Sequence, residues 1–411
     1  MPANVMLSGV FRSGTTLLSR VISAHPDALV VSDPSIYFFK AYRDFHFEQA
    51  GLSRDPERPN SSLFMDPHID VWVRILASDL SEDMPAWAKQ QVREQLRIWK
   101  TAQHPRLVAA VDELDGVTFR DFYAAMLELF TELYGSEETR LVGAKTSWCE
   151  AFIPALGRAF PDMKFVFLVR DLRAVIASQN QQKGAGQGTR PLMFYVHHWR
   201  KSVAFATAWG QLDPVFSKRC AVLRYEDLIS DLPGQLRTVN ALVGLAADPR
   251  QFNPQCWPDE RMEGQWTPNS SYGGQSRGLY STSVERWRTI LTGPQIRAVE
   301  ALAGPELAML GYAIEHPIAP VDAYLAEGVE ADFDTLADWL KPFPEAQFSR
   351  DPVLRRAVCA AEARRRAFIR SAYPVDANRS RSLLVDPRMA AVLRPHLRAL
   401  EQAKTKKAKS A

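Results

Sequence analysis

The chain has 411 residues, of which 46% are hydrophobic and 24% charged, and its formal net charge is +3. That length suits one large domain with additions, or two domains, and is ample for a buried core. The near-balanced charge argues against a polybasic nucleic-acid binder, so no nucleic-acid partner is expected, and an aromatic content of 10% argues against disorder as the main state.

In chain order, the first pattern is an apolar run from Val5 to Val10 that stops at a polar loop and is followed by Leu17, Leu18, Val21 and Ile22 at helical spacing. The order strand, tight loop, helix is therefore expected at the N-terminal end. From about 42 to 140 the chain changes character, with Trp72, Trp87 and Trp99, several prolines and a helical stripe through Phe119, Phe122, Tyr123, Met126, Phe130 and Leu133. This stretch reads as a helical insertion whose aromatics mostly form its own core. Leu141 to Ala144 is an apolar approach to Lys145. A second strand–helix unit follows: Lys164 to Val169, then Arg170-Asp171, then Leu172, Val175, Ile176 and Gln179. A further strand is expected at Ala221 to Leu223, ending at Arg224-Tyr225-Glu226-Asp227. Continuous apolar strands alternating with helices imply an α/β fold with a parallel sheet covered on both faces. A boundary falls at His316-Pro317-Ile318-Ala319-Pro320. This predicts a main domain over 1–315, a helical C-terminal extension over 321–402, with helices at Val353 to Ala372 and Met389 to Gln402, and a basic tail over 403–411.

Cys149, Cys220, Cys256 and Cys359 are widely separated with no C-x-x-C pair, which offers neither a disulfide framework nor zinc spacing. Apolar runs such as Phe165 to Val169 are too short to span a bilayer, and the first residues lack the features of a signal peptide. A cytoplasmic protein without a transmembrane segment is the expectation.

Gly9-Val10-Phe11-Arg12-Ser13-Gly14-Thr15-Thr16 nearly fits the phosphate loop G-x-x-x-x-G-K-[ST]. Glycines let the backbone curl so that N–H groups converge on an anion, and the following helix N-terminus adds a favourable dipole. Thr15 stands where a nucleotide triphosphatase has its lysine, so Mg²⁺-assisted phosphoryl chemistry loses its main cation. Arg12 can supply charge instead. Arg170 lies at the C-terminal end of a parallel strand, where open α/β sheets bind ligands, and Ser178 follows about two turns into the next helix. A guanidinium and a hydroxyl are thus available for a second phosphate, while pairing of Arg170 with Asp171 or Glu226 is the structural alternative.

Arg12-Ser13-Gly14-Thr15-Thr16 resembles the 5′-phosphosulfate loop of sulfotransferases that use 3′-phosphoadenosine 5′-phosphosulfate (PAPS), and Leu168-Val169-Arg170-Asp171 through Ser178 resembles their 3′-phosphate element. Ala24-His25-Pro26-Asp27 and Lys145 are similar to the tyrosylprotein-sulfotransferase branch. Tyr225-Glu226-Asp227-Leu228 resembles the next segment near the cofactor, and Arg277, ten residues before Trp287, resembles a basic residue that closes over it. The resemblance covers scattered stretches between residues 5 and 290.

It implies a P-loop-type parallel sheet and an enzyme that moves a sulfuryl group from PAPS to a hydroxyl or amine, releasing PAP, without a metal. Arg12 and Ser13 to Thr16 would hold the 5′-phosphate, Arg170 and Ser178 the 3′-phosphate, and Lys145 would stabilise the leaving phosphate. Cytosolic small-molecule sulfotransferases carry a histidine base two positions after this lysine, where the chain has Ser147. In the tyrosylprotein branch a glutamate follows the first helix, and Asp33 falls there by counting. Asp33 is therefore the candidate general base, with Ser32-Asp33-Pro34 as a turn the other reading. His197-His198 point different ways on a helix and lack a third ligand, and His46 and His68 read as surface groups. Two rivals are a P-loop small-molecule kinase, disfavoured by Thr15, and a non-catalytic nucleotide-binding protein, disfavoured by Lys145 and Asp33. The acceptor, whether metabolite, glycan, lipid or peptide, is not legible, nor is the oligomeric state.

Overall fold

Five short runs in the computed structural model pair as one parallel sheet: β1 (Ala3–Ser8), β2 (Ala28–Ser32), β3 (Leu141–Lys145), β4 (Lys164–Val169) and β5 (Cys220–Arg224), in the order β2-β3-β1-β4-β5. The structure describes residues 2–180, 192–258, 278–316, 352–371 and 377–410. Burial of nearly every residue in β1 to β4 explains the absence of polar alternation, since helices cover both faces. The first strand begins and ends two residues earlier than its apolar run suggested, because Gly9 and Val10 already belong to the loop. Strand β2 had no sequence expectation; Ala28-Leu29-Val30-Val31 is only four apolar residues long.

Register places the C-terminal ends of β1, β2 and β3 side by side, with Leu7 opposite Lys145 and Ser32 opposite Lys145 on the other edge. Gly143 sits opposite Val5 in the middle of this pairing, and a Cβ there would lie 2.1 Å from the Val5 carbonyl oxygen. Close approach of the two strands thus depends on a residue without a side chain.

The chain divides into two compact units, one built from Met1–Asn60, Asp70–Val169 and Trp209–Leu279, the other from Ser61–Ile69, Arg170–Ala208 and Tyr280–Ala411. The first contains the sheet. One face carries the helices Thr15–Ser23 and Leu232–Val243, whose Leu18, Val21, Ile22, Leu236 and Val239 join Val5, Leu7, Val30 and Val166 in a single core. A second core is aromatic. Phe38, Phe39 and Tyr42 of helix Ile36–Gln49 meet Phe119, Phe122 and Tyr123 of helix Phe119–Tyr134, with Phe38–Tyr123 and Phe39–Phe152 centroids both 5.0 Å apart. The aromatic stripe is therefore packing, although Trp99 is exposed.

The second unit is helical among its described residues. Helix Pro352–Arg370 is tied to helix Met389–Ser410 by Arg394, which donates to the carbonyls of Ile369 and Ser371.

His46 departs from the expected surface placement. It is buried, its ring edge-on to Tyr42 at 4.6 Å, because the aromatic core extends to this turn of the helix. Burial, helped by the positive charge of Arg74, pushes its pKa down to about 4. The unfolded chain therefore binds a proton between about pH 6.5 and 4 that the native state refuses, so stability falls as pH drops through that window. Urea titrations should show this loss, on the order of 1–3 kcal/mol for His46, and the His46→Phe variant should show a shallower fall over the same range.

Candidate active site

The loop after β1 is bent by two left-handed residues, Arg12 at φ 65° and Gly14 at φ 95°. Ser13 donates its N–H to the Val10 carbonyl at 3.2 Å, which closes the turn, and helix Thr15–Ser23 starts at once. Gly14 is required twice over. Its φ disfavours a side chain, and a Cβ would enter the Tyr225 ring at 2.4 Å. Tyr225, at the start of helix Tyr225–Ser230, thus packs directly on the loop, where the sequence placed it near the cofactor.

The same pattern recurs on the two neighbouring strands. Asp33 follows β2 at φ 76° and Trp148 follows β3 at φ 71°. Asp33 donates its N–H to the Lys145 carbonyl at 2.7 Å, and Thr146 donates its own to the Leu7 carbonyl at 2.9 Å. The Ser8 hydroxyl donates to the Thr146 carbonyl at 3.0 Å, and the Phe11 and Trp148 rings sit 5.3 Å apart. Ser32 is held from both sides, by the Ser19 hydroxyl at 3.0 Å and by His104 Nε2 against its carbonyl at 3.0 Å. Three strand ends are thereby locked to one another.

Within this frame Lys145 Nζ donates to Asp33 Oδ1 at 2.7 Å. The lysine side chain is 5% exposed and the carboxylate 32%, so the pair stands at the rim, with the cation inside and the anion reaching water. The turn reading of Asp33 holds, its backbone accepting from the Ile36 N–H at 3.4 Å, and its carboxylate meets the lysine. Asp33 also raises the Tyr37 phenol pKa, after burial as the main cause and with Glu57 as a third, so Tyr37 stays protonated beside it.

Whether these residues fit a phosphosulfate can be judged from the loop itself. The Ser13 hydroxyl is buried without a hydrogen-bond partner among the described residues, and so is Thr146 Oγ1 next to Lys145. Together with the first-turn N–H groups of helix Thr15–Ser23, which no helical carbonyl accepts, they form a donor-rich, cation-bearing edge. The fit is to an anion.

In the second unit, Arg170 is buried and donates through Nη2 to the Ser283 carbonyl at 2.8 Å, while Trp199 Nε1 donates to the Arg170 carbonyl at 2.8 Å. Asp171 pairs with Arg173, at 2.6 Å. Ser178 is half-buried on helix Leu172–Asn180. Arg277 lies outside the described residues. His197 and His198 are both buried on helix Leu192–Ala208, and among the described residues no group of three or more His, Cys, Asp or Glu could hold a metal ion.

The family model described as "Sulfotransferase family" matches residues 3–249, which span all five strands. The chain belongs to the sulfotransferase family. Carbohydrate sulfotransferase 5 of Mus musculus is 30% identical over 185 residues, 41% of this chain and 46% of that protein, so the chain spans about half the length of that curated relative. Among solved structures, the sulfotransferase domain from the curacin biosynthetic pathway is 17% identical, covers 77% of this chain and 99% of its own, and has a TM-score of 0.47. Retinol dehydratase in a complex with retinol and PAP is 16% identical, covers 77% and 84%, and has a TM-score of 0.34.

The unequal exposure of the ion pair has a measurable consequence. Asp33→Asn strands a buried ammonium and should cost about 2 kcal/mol, less than a fully buried pair because Asp33 touches water. Lys145→Met leaves a carboxylate free to hydrate and should cost under about 1 kcal/mol. Chemical denaturation of the two variants checks the order.

Proposed function

We propose that this sulfotransferase transfers the sulfuryl group of PAPS to an acceptor hydroxyl, or amine, and releases PAP. The observation that carries the reading is the Lys145–Asp33 contact of 2.7 Å beside a loop with an unpartnered Ser13 hydroxyl. PAPS, when bound, supplies the activated sulfuryl group on a phosphate leaving group. Arg12, the Ser13 hydroxyl and the N–H groups of Gly14 to Thr16 bind and orient its 5′-phosphate end, the Ser13 N–H being held by the Val10 carbonyl. Lys145 places a positive charge against the leaving oxygen, where negative charge grows only as the bond breaks. That use of the ammonium loosens its hold on Asp33, whose carboxylate then accepts the acceptor's proton. Tyr225 braces the loop. Arg170 and Ser178 enter through the sequence resemblance as the groups for the 3′-phosphate.

Similarity to carbohydrate sulfotransferase 5 supports testing a sugar hydroxyl first. A peptide acceptor has support only from the short segments that resemble the tyrosylprotein branch.

Incubation of the full chain with labelled PAPS and a cell extract, followed by mass spectrometry, should yield products heavier by one SO₃ group. With such an acceptor, Lys145→Ala should bind PAP nearly as well as the parent while kcat falls by roughly 10²-fold or more. Labelled ATP giving a phosphorylated product instead, with a requirement for Mg²⁺, would point to the kinase reading.

A further inference from the structure

The second unit holds a small, partly open cavity, of about 10 Å³, lined by Phe64, His197, Arg200, Glu306, Arg365 and apolar side chains from residues 383–393. That is room for one water or one small ion. None of these residues is among those assigned above to sulfuryl transfer.

The charge around it does not balance. Arg200, Arg365 and Arg366 are buried with Glu306 and Glu362. His197 stacks on the Phe64 ring at 3.7 Å, and burial pushes its pKa down to about 4, so at neutral pH it adds no charge. Among the described residues, three guanidiniums thus share two carboxylates. Arg200 meets Glu362 at 2.5 and 3.1 Å and the Leu302 carbonyl at 2.7 Å, while its Nε lies 3.3 Å from Glu306 without a hydrogen bond. Arg366 donates to the Ala301 and Leu302 carbonyls, and burial and the neighbouring Arg365 push its pKa down to about 10. Arg365 gives Nη2 to Glu306, but among the described residues its Nη1 and Nε are buried without a hydrogen-bond partner, as are Glu306 Oε2 and Arg366 Nε. An unbalanced charge and open donors at a buried site are costly.

The backbone here is strained as well. Leu63 (φ 66°), Met65 (φ 51°) and Val385 (φ 69°) are left-handed, the first two flanking Phe64 and the third on the cavity wall. Left-handed φ is costly for a β-branched residue, and such strain persists only where surrounding contacts impose it. Met65 donates its N–H to the Ser382 carbonyl at 3.0 Å, which closes this wall.

We propose that this cavity is a binding site for a single small monovalent anion, chloride in the cell, held on the free Nη1 edge of Arg365. A water would satisfy one N–H and Glu306 Oε2 but leave the charge unbalanced, whereas a monoanion supplies the missing negative charge. Sulfate and phosphate are too large for the space. Chloride is weakly hydrated and tolerates leucine and valine walls.

Thermal unfolding of the full chain at fixed ionic strength, with gluconate exchanged for chloride, reads the site directly. Tm should rise with chloride and level off, as mass action requires for a ligand of the native state, and bromide should act alike. Arg365→Met equalises the charges and should abolish the dependence, with a lower Tm in gluconate because buried Glu306 loses its Arg365 hydrogen bond. An equal chloride response in parent and variant overturns the proposal, as does no response in the parent. Crystals of the parent grown in bromide give a check that needs no variant: an anomalous peak in the cavity is expected, and a water there without anomalous signal overturns the assignment.

Discussion

A lysine whose side chain is almost entirely shut off from water needs an anion next to it, and Lys145 finds one on the adjacent strand end. The contact exists only because β2 and β3 pair in a register that puts Ser32 beside Lys145, with Asp33 one residue further. Their own backbone continues the pairing, Asp33 N–H to Lys145 carbonyl. The Ser19–Ser32 contact and His104 against the Ser32 carbonyl hold the β2 end in place, and the missing side chain at Gly143 lets β1 approach β3 from the other side.

The second constraint is conformational. Arg12, Asp33 and Trp148 adopt left-handed φ at the ends of three neighbouring strands. Each costs energy that ordinary turns avoid, and the hydrogen bonds between the strand ends supply the compensation. Turning sharply at the carboxyl edge of a parallel sheet lifts side chains out of the pleat and towards the crevice where such sheets bind ligands. Lys145 comes from the strand itself, Asp33 from the turn and Arg12 from the loop, so cation, carboxylate and anion cradle arrive from three separate elements. The buried hydroxyls of Ser13 and Thr146 suit an anionic guest that brings its own acceptors.

Much of this was legible in the sequence, for definite reasons. A glycine-rich loop between an apolar strand and a helix has few alternative structures, and the loop, β4, β5 and the helix after β4 fall where the pattern places them, whereas Leu141 to Ala144 reads only as an apolar approach to Lys145 and is the strand β3. Asp33 and Lys145 could be proposed by resemblance, but their 2.7 Å contact could not, since it joins residues 112 apart and depends on sheet order. Strand β2 escaped notice because four apolar residues after a His-Pro-Asp turn carry too little pattern. His46 was misplaced for a related reason: a lone histidine on a helix shows nothing of the aromatic layer that buries it. The supporting residues Ser8, Ser19 and His104 had no local signal, being polar groups satisfied by distant backbone or hydroxyl partners. The buried arginine cluster of the second unit was hidden in the same way.

The account rests on Lys145 and Asp33 acting as one unit in the transition state, the first on the departing phosphate and the second on the acceptor's proton. A double-mutant cycle on the rate of sulfuryl transfer, with Lys145→Ala, Asp33→Asn and the double variant, tests this directly. If the two act together, the double variant should be little slower than the slower single one. Losses that simply multiply, or an Asp33→Asn variant that transfers at the parent rate, would contradict it.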